Sequence, residues 1–142
     1  MPVLDPGSIN WLAVGVTAIA TFLLGGAWYT ALFGQLWRKL HGYDEATVKE
    51  LQRRRPPVMF FGAMIVCYFV MALVMAILIQ WTGVTGAGGG AVIGFFIWTG
   101  FCFAVGLTGA IAVHFPLQSF LIDAAYQLIY CLGAGALLGA WR

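Results

Sequence analysis

The sequence predicts an all-α membrane protein, with four transmembrane helices in a compact bundle and a short amphipathic surface helix between helices one and two. Of its 142 residues, 62% are hydrophobic and only 8% are charged, and the mean hydropathy is +0.93. Soluble domains carry about 25% charged residues, so a soluble chain of this size could not hide so much apolar surface from water. The apolar residues are also gathered into four long runs, and most of the charge lies in one connection.

The four apolar runs cover residues 9–33, 58–81, 91–113 and 117–141. Each is close to the length of about 20 residues that crosses a hydrocarbon core of about 30 Å. Each is much longer than a membrane strand of about 10 residues and lacks strict alternation, and only a helix satisfies its own backbone in lipid. The runs and their connections fill the chain, which predicts a single transmembrane domain over residues 1–142.

The first connection, residues 34–57, is the only substantial polar stretch. Asp44 is placed to cap a short helix that runs to about Arg55 and has a narrow apolar side, so we expect this helix to lie at the membrane surface. The second connection, residues 82–90, reads TGVTGAGGG and predicts a flexible turn. The third connection is a few residues around Pro116.

The distribution of positive charge predicts the orientation of the chain. Six of the seven Lys and Arg residues lie in the 34–57 connection, so the positive-inside rule places this connection in the cytoplasm and both termini outside. The cluster of Arg53, Arg54 and Arg55 is interpreted as a topology determinant that could also bind anionic lipid head groups.

Asp123 is the one charged residue inside a predicted transmembrane helix. An intramembrane carboxylate costs several kcal/mol, so such residues usually face the interior of a bundle. Helical spacing places Tyr126, Gln127 and Tyr130 on the same stripe as Asp123. The stripe is interpreted either as a proton, cation or polar-substrate site, or as a structural hydrogen-bond hub.

The first helix offers three possible partners at the depth of Asp123, namely Thr21, Trp28 and Tyr29. Thr21 also shares a side of this helix with Thr17, and that side could line a path. The alternative is that the two threonine hydroxyls bond back to their own helix. Pairs of small residues four positions apart predict close helix packing, either within the bundle or between subunits of a homo-oligomer; they are Gly90 with Gly94, Gly106 with Ala110, and Gly135 with Gly139.

The sequence contains no pattern typical of an enzyme or a cofactor site. The three cysteines are widely separated, and the two histidines and Asp123 lack metal-ligand spacing, so we expect no metal and no cofactor. No nucleophile–base pair is evident, and enzymatic activity is therefore not expected. A net charge of +2 is too small to indicate nucleic-acid binding.

The sequence resembles a family of bacterial membrane proteins called domain of unknown function 1761. The resemblance lies in the opening of the first helix, Asn10-Trp11-Leu12-Ala13-Val14, in Trp28-Tyr29 and Trp37, and in the Asp123-Ala124-Ala125-Tyr126 segment. It implies four spanning helices and a location in a bacterial inner membrane, and it supplies no activity. It also implies that Asn often occupies the position of Asp123, which argues against a required titrating carboxylate.

Three functions of different classes are therefore considered. The first is a small membrane-embedded transport or channel-like protein for a small solute or ion. The alternative is a non-catalytic structural or interaction subunit, and the weakest is a membrane enzyme that acts on a lipid. A polar cavity at Asp123 would favour transport, whereas a fully packed Asp123 would favour the interaction subunit. Apart from the lipid bilayer, the sequence predicts no particular ligand.

Overall fold

The structure, a computed structural model, describes residues 5–141 and contains only helices and their connections in that range. A short 3₁₀ turn, Pro6–Ser8, precedes the first helix. Six helices follow in chain order: α1 (Trp11–Leu32), α2 (Gly34–Leu40), α3 (Glu45–Arg54), α4 (Pro57–Thr82), α5 (Gly86–Ala112) and α6 (Leu117–Ala140).

Four of these helices, α1, α4, α5 and α6, are long and apolar enough to cross a membrane, as the sequence predicts. Two of them contain a π-helical segment. The last turn of α1, Trp28–Leu32, is π-helical, and so is the middle of α5, Trp98–Phe103. Such segments change the direction in which the following side chains point, and they are common at functional sites.

The predicted flexible turn over residues 82–90 was wrong in its second half. Only Gly83–Thr85 connect the helices, because α5 already begins at Gly86. A Cβ atom on Gly90 would overlap the carbonyl of Gly135, and one on Gly94 would overlap the carbonyl of Cys131. These glycines therefore allow α5 and α6 to approach backbone to backbone, and this packing offsets the low intrinsic helix propensity of glycine.

The last helix is at the centre of the arrangement. α6 packs closely along α5 and also contacts α1 and α4, while α1 packs mainly on α4. α6 accordingly contributes more buried residues than any other described helix, including Ser119, Tyr126 and Cys131. By contrast, α5 has only two buried residues, Gly90 and Gly94, both in its first half and both against α6.

The buried side chains form two groups, one toward each end of the molecule. We call the end that carries α2 and α3 the loop end, and the end that carries Gly83–Thr85 the turn end. Toward the turn end, Val14, Met75 and Cys131 belong to an aliphatic core. Toward the loop end, Trp28 and Tyr126 form an aromatic core with Ile122. Large apolar side chains cover the outside of the long helices, as expected for helices in contact with lipid.

The polar connection folds into two short helices. The predicted helix is confirmed as α3, and the carboxylate of Asp44 caps it by accepting a hydrogen bond of 2.7 Å from the Thr47 amide. A helix that the sequence did not predict, α2, precedes it and packs its Trp37 side against α6. The location of α3 at a membrane surface stays a prediction.

Candidate functional site

Asp123 lies on α6 facing the first two helices, and one of its oxygens accepts two hydrogen bonds. The hydroxyl of Tyr29 donates to Oδ1 at 2.7 Å, and the indole N–H of Trp37 donates to the same oxygen at 3.0 Å. Of the three candidate partners on the first helix, Tyr29 is therefore the one that bonds to Asp123. We call Asp123, Tyr29 and Trp37 the Asp123 site. Two donors on one oxygen hold the carboxylate in a fixed orientation.

The backbone between α1 and α2 positions the two donors. At the end of the π-helical turn, the Phe33 amide donates to the Trp28 carbonyl at 2.9 Å, which closes the wider turn. A Cβ atom on Gly34 would lie 2.5 Å from the carbonyl oxygen of Tyr29, so glycine allows the chain to fold back at once into α2. Consequently Tyr29 and Trp37 meet edge to face with ring centroids 5.8 Å apart, both directed at Asp123.

Two further indoles donate hydrogen bonds to the backbone carbonyls of the residues on either side of Asp123. Trp28 donates from its indole N–H to the Ile122 carbonyl at 3.2 Å, and Trp98 donates to the Ala124 carbonyl at 2.9 Å. Each tryptophan is the first residue of a π-helical segment, one in α1 and one in α5. The two bonds tie α6 to α1 and to α5 at the level of the Asp123 carboxylate.

A tyrosine network lies one turn deeper than Asp123. Tyr126 is buried, and its hydroxyl lies 3.1 Å from the Thr21 carbonyl oxygen and 2.9 Å from the Tyr68 hydroxyl. Because a carbonyl only accepts, Tyr126 donates to Thr21 and accepts from Tyr68. A Cβ atom on Gly25 would lie 2.7 Å from this hydroxyl, so glycine leaves the space that the phenol occupies.

The predicted polar stripe on α6 is divided in the structure. Tyr126 and Tyr130 pack against each other at a centroid distance of 5.1 Å and turn toward α4, where Tyr68 lies. Gln127 points the other way and lines a crevice together with Asp123. The reason is geometric, because side chains at different positions of one helix point in different directions around its axis. Tyr126 and Tyr130 therefore face α4, whereas Gln127 faces the crevice beside α5.

Two of the three candidate partners on the first helix do not bond to Asp123. The predicted contact with Trp28 was wrong, because its indole N–H is used by the Ile122 carbonyl. The contact with Thr21 was also wrong, because its hydroxyl donates to the Thr17 carbonyl at 2.9 Å, and Thr17 donates in turn to Ala13 at 2.7 Å. The structure therefore shows the alternative considered for these threonines, in which each hydroxyl satisfies a carbonyl of its own helix.

His41 extends the Asp123 site toward the loop end. Its ring stacks on Trp37 with centroids 3.8 Å apart and meets Phe115 edge to face at 5.0 Å. Its Nδ1 lies 2.8 Å from the Trp37 carbonyl oxygen, which makes this nitrogen the protonated donor, and 3.3 Å from the hydroxyl of the buried Ser119. His41 thus fixes the ring of Trp37 and connects it to the start of α6.

A crevice of about 240 Å³ opens between α5 and α6 on the other side of Asp123. Apart from Asp123 and Gln127, its lining is apolar or glycine. No hydrogen bond of the second carboxylate oxygen, Oδ2, is present within residues 5–141. The lining residues are Gly106, Gly109, Ala110, Val113, Phe115, Phe120, Asp123, Ala124 and Gln127.

A second cavity, of about 340 Å³, lies at the turn end. It is bordered by the segment before α1, where the Gln80 amide donates to the Ser8 hydroxyl and Asn10 donates to the Trp141 carbonyl at 3.5 Å. Asn10 also caps α1, accepting from the Ala13 amide at 3.0 Å. No ionisable side chain is among the described residues that line this cavity.

The remaining predicted residues lie apart from these cavities. Arg53, Arg54 and Arg55 are exposed at the end of α3, and Arg54 pairs with Glu50 at 2.8 Å. Their contact with lipid head groups stays a prediction. Within the described part of the chain, no group of three or more His, Cys, Asp and Glu residues is arranged to hold a metal ion.

Sequence reasoning missed three residues that complete the polar contacts, namely Trp37, Tyr68 and Trp98. Trp37 was not among the predicted partners of Asp123, because nothing local indicates that α2 folds back on α6. Tyr68 was not singled out, although its spacing from Ala72, Met75 and Ile79 places it on the buried face of α4. That spacing of four, three and four residues is a signal that the sequence does contain.

The comparisons with known proteins agree with the resemblance described above. The profile of the family described as "Protein of unknown function (DUF1761)" matches residues 12–139, which is nearly the whole chain. The chain belongs to this family. No curated protein and no solved structure matches it. The match confirms the resemblance that was noted from the sequence. It assigns no activity to Trp28-Tyr29, Trp37 or Asp123.

Proposed function

We propose that this DUF1761 protein is a small multi-pass transport protein of a bacterial inner membrane, which binds a small solute or ion at Asp123. The carboxylate beside the crevice is the observation that carries the proposal. One oxygen is held by Tyr29 and Trp37, while Oδ2 has no described hydrogen-bond partner, and Asp123 belongs to the wall of the crevice. A charged group at this depth is usually functional in a membrane protein.

The interior favours a transporter over an open channel. Between the two cavities the core is filled by fully buried side chains, among them Val14, Thr17, Met75 and Cys131. A solute that enters the crevice from the loop end therefore needs a conformational change to reach the turn end, as in alternating access. The two π-helical segments are candidate points of bending, since both lie beside Asp123.

We further propose that the loop end faces the cytoplasm and that both termini face outward. Six of the seven Lys and Arg residues support this orientation, because they belong to the 34–57 connection. In this arrangement Arg53, Arg54 and Arg55 lie near the anionic head groups of the inner leaflet.

Transport can be tested with purified protein in phosphatidylcholine proteoliposomes that contain a pH-sensitive dye and are mounted for current recording. Jumps in proton, sodium, potassium or alkylammonium concentration should evoke a current or a pH change that Asp123→Asn abolishes. Asn can still accept the bonds from Tyr29 and Trp37, so the thermal unfolding temperature should change little. An equal signal from Asp123→Asn, or no signal from any of these jumps, would contradict the proposal.

The alternative is a non-catalytic interaction subunit, and open space at two glycines of α1 favours it. The small residues Gly90, Gly94, Gly135 and Gly139 pack between α5 and α6 and are therefore not available to a second chain. Space for a second chain exists instead at Gly15 and Gly26 of α1, where an added Cβ atom would meet no described atom within 4 Å. If the protein gives no transport signal, a homo-oligomer that Gly26→Leu disrupts would support this alternative.

A further inference from the structure

The crevice beside Asp123 has one acidic side and one apolar side. Asp123 and Gln127 stand one helical turn apart on α6, and both line the crevice. Phe115, Phe120 and Val113 belong to the same lining. A molecule that fills the crevice would therefore have a polar end directed at α6 and a hydrocarbon body.

The electrostatics call for a positively charged ligand. Among the described residues, the one ion pair joins Arg54 to Glu50, so no cationic side chain neutralises Asp123. The hydrogen bonds from Tyr29 and Trp37 stabilise negative charge on Oδ1 but bring no positive charge of their own. A cation in the crevice would supply that charge, and the faces of the two phenyl rings also attract cations.

The chemistry of the lining distinguishes an organic cation from a metal ion. A Ca²⁺ ion takes about six to eight oxygen ligands, whereas the side chains of the crevice offer only the carboxylate of Asp123 and the amide of Gln127. An ammonium group has three donors, which suit Asp123 Oδ2 and the Gln127 carbonyl oxygen. The volume of about 240 Å³ is below the common range for drug-sized ligands and suits a small molecule.

We propose that the crevice binds a primary alkylammonium group, with the ammonium on Asp123 and Gln127 and the alkyl chain on Phe115 and Phe120. This inference rests on the proposed function and names its substrate class. The ammonium group has two sources, namely a free amine or the head group of phosphatidylethanolamine, and both have the chemistry that the crevice recognises.

The test is binding of n-butylammonium to the full chain in phosphatidylcholine nanodiscs, measured as a saturable rise in unfolding temperature. Equal concentrations of sodium chloride and of 1-butanol are the controls for ionic strength and for the alkyl chain. Butylammonium should stabilise the wild type, whereas neither control should. Asp123→Asn should weaken the apparent affinity by more than about tenfold, because it removes the charge partner of the cation.

Gly109→Leu provides a second, independent variant. Gly109 lines the crevice, and an added Cβ atom would meet no described atom within 4 Å, so a leucine can occupy the crevice without displacing its walls. Gly88→Leu is the matched control, since Gly88 is exposed on the same helix, has equal space and does not line the crevice. Gly109→Leu should weaken binding by more than about tenfold, while Gly88→Leu should bind as the wild type does.

The outcomes separate this inference from the proposed function. Butylammonium binding that survives Gly109→Leu would overturn the assignment of the crevice, as would stabilisation by sodium chloride alone. If butylammonium does not bind but an Asp123-dependent current persists with protons or sodium, the inference fails and transport stands. Binding without any current leaves the inference supported and contradicts transport. Nanodiscs that contain phosphatidylethanolamine identify the source, because a lipid ligand would compete and lower the affinity for butylammonium.

Discussion

At the scale of single residues, the site depends on aromatic donors around one carboxylate. Tyr29 and Trp37 share Oδ1 of Asp123, while Trp28 and Trp98 hold the neighbouring peptide carbonyls. An intramembrane carboxylate without such donors would bear most of its desolvation cost. The arrangement therefore stabilises the charged side chain and leaves its second oxygen without a described hydrogen bond.

Tyr29→Phe should lower stability by about 0.5–2 kcal/mol, because it removes one of the two hydrogen bonds to Asp123 and keeps the ring. Thermal unfolding in one detergent measures the change. Tyr43→Phe is the matched control, since Tyr43 is exposed and its hydroxyl has no described hydrogen bond. Equal unfolding temperatures for the Tyr29 and Tyr43 variants would show that the bond to Asp123 does not contribute.

At the scale of secondary structure, the closest contact is made by glycines of α5 and α6. An added Cβ atom on Gly139 would lie 2.5 Å from the Gly86 carbonyl oxygen and 3.0 Å from the Gly90 Cα. The helices therefore approach so closely that a larger residue must push the backbones apart. The predicted packing of Gly135 and Gly139 against another helix is confirmed, and the partner lies in the same chain.

Gly139→Ala should lower stability by about 1–3 kcal/mol, and Gly139→Leu by more, because both overlap backbone atoms that cannot rotate away. Gly133→Ala and Gly133→Leu are the matched controls on the same helix, since nothing lies within 4 Å of a Cβ atom at Gly133. Thermal unfolding of the four purified variants measures the difference. An unchanged unfolding temperature for Gly139→Leu would contradict the close approach of α5 and α6.

The cap of α3 gives a prediction of pH dependence. The hydrogen bond from Thr47 holds the pKa of the Asp44 carboxyl below its ordinary value of 3.8. A carboxyl whose pKa is lower in the folded state stabilises α3 above that ordinary value and loses this contribution as the pH falls through the folded pKa. NMR titration of the Thr47 amide should therefore show a midpoint below 3.8. Asp44→Ala should abolish this titration, and a midpoint at or above the ordinary value would contradict the cap.

At the scale of the whole molecule, the two ends differ in chemistry. The loop end contains the Asp123 site, the crevice and the arginine cluster of α3, whereas the described residues that line the cavity at the turn end carry no ionisable side chain. The two surfaces of a membrane differ in charge, because anionic lipids are enriched in the cytoplasmic leaflet. The loop end and the turn end would therefore meet different surroundings. Under the proposed function, the orientation would decide from which side a solute reaches Asp123.

Cysteine labelling in intact cells tests the orientation. Lys49→Cys lies in α3 and should react with a membrane-impermeant maleimide only after the cells are opened. Thr85→Cys is the counterpart at the turn end, is exposed, and should react in intact cells. The reverse pattern would place the 34–57 connection outside. Replacement of Cys67 by Ser removes the native cysteine that the structure leaves exposed.

The sequence by itself determined four long apolar helices, the capped α3, and Asp123 as the one charge within them. Length, hydropathy and cap residues decide these features, because they depend on neighbours in the chain. It also limited the partners of Asp123 on the first helix to three candidates, of which the structure selects Tyr29. The functional role of Asp123 stays a prediction.

Only the tertiary structure decided how the polar residues are shared out. Trp37 folds back onto α6, Trp28 and Thr21 donate to backbone carbonyls, and α5 begins at Gly86. These features depend on which helix face meets which neighbour. That choice is made by long-range packing, in which glycines at Gly90 and Gly94 admit a second backbone. Periodicity along one helix contains no information about its neighbour, so the crevice beside Asp123 could not be predicted from the sequence.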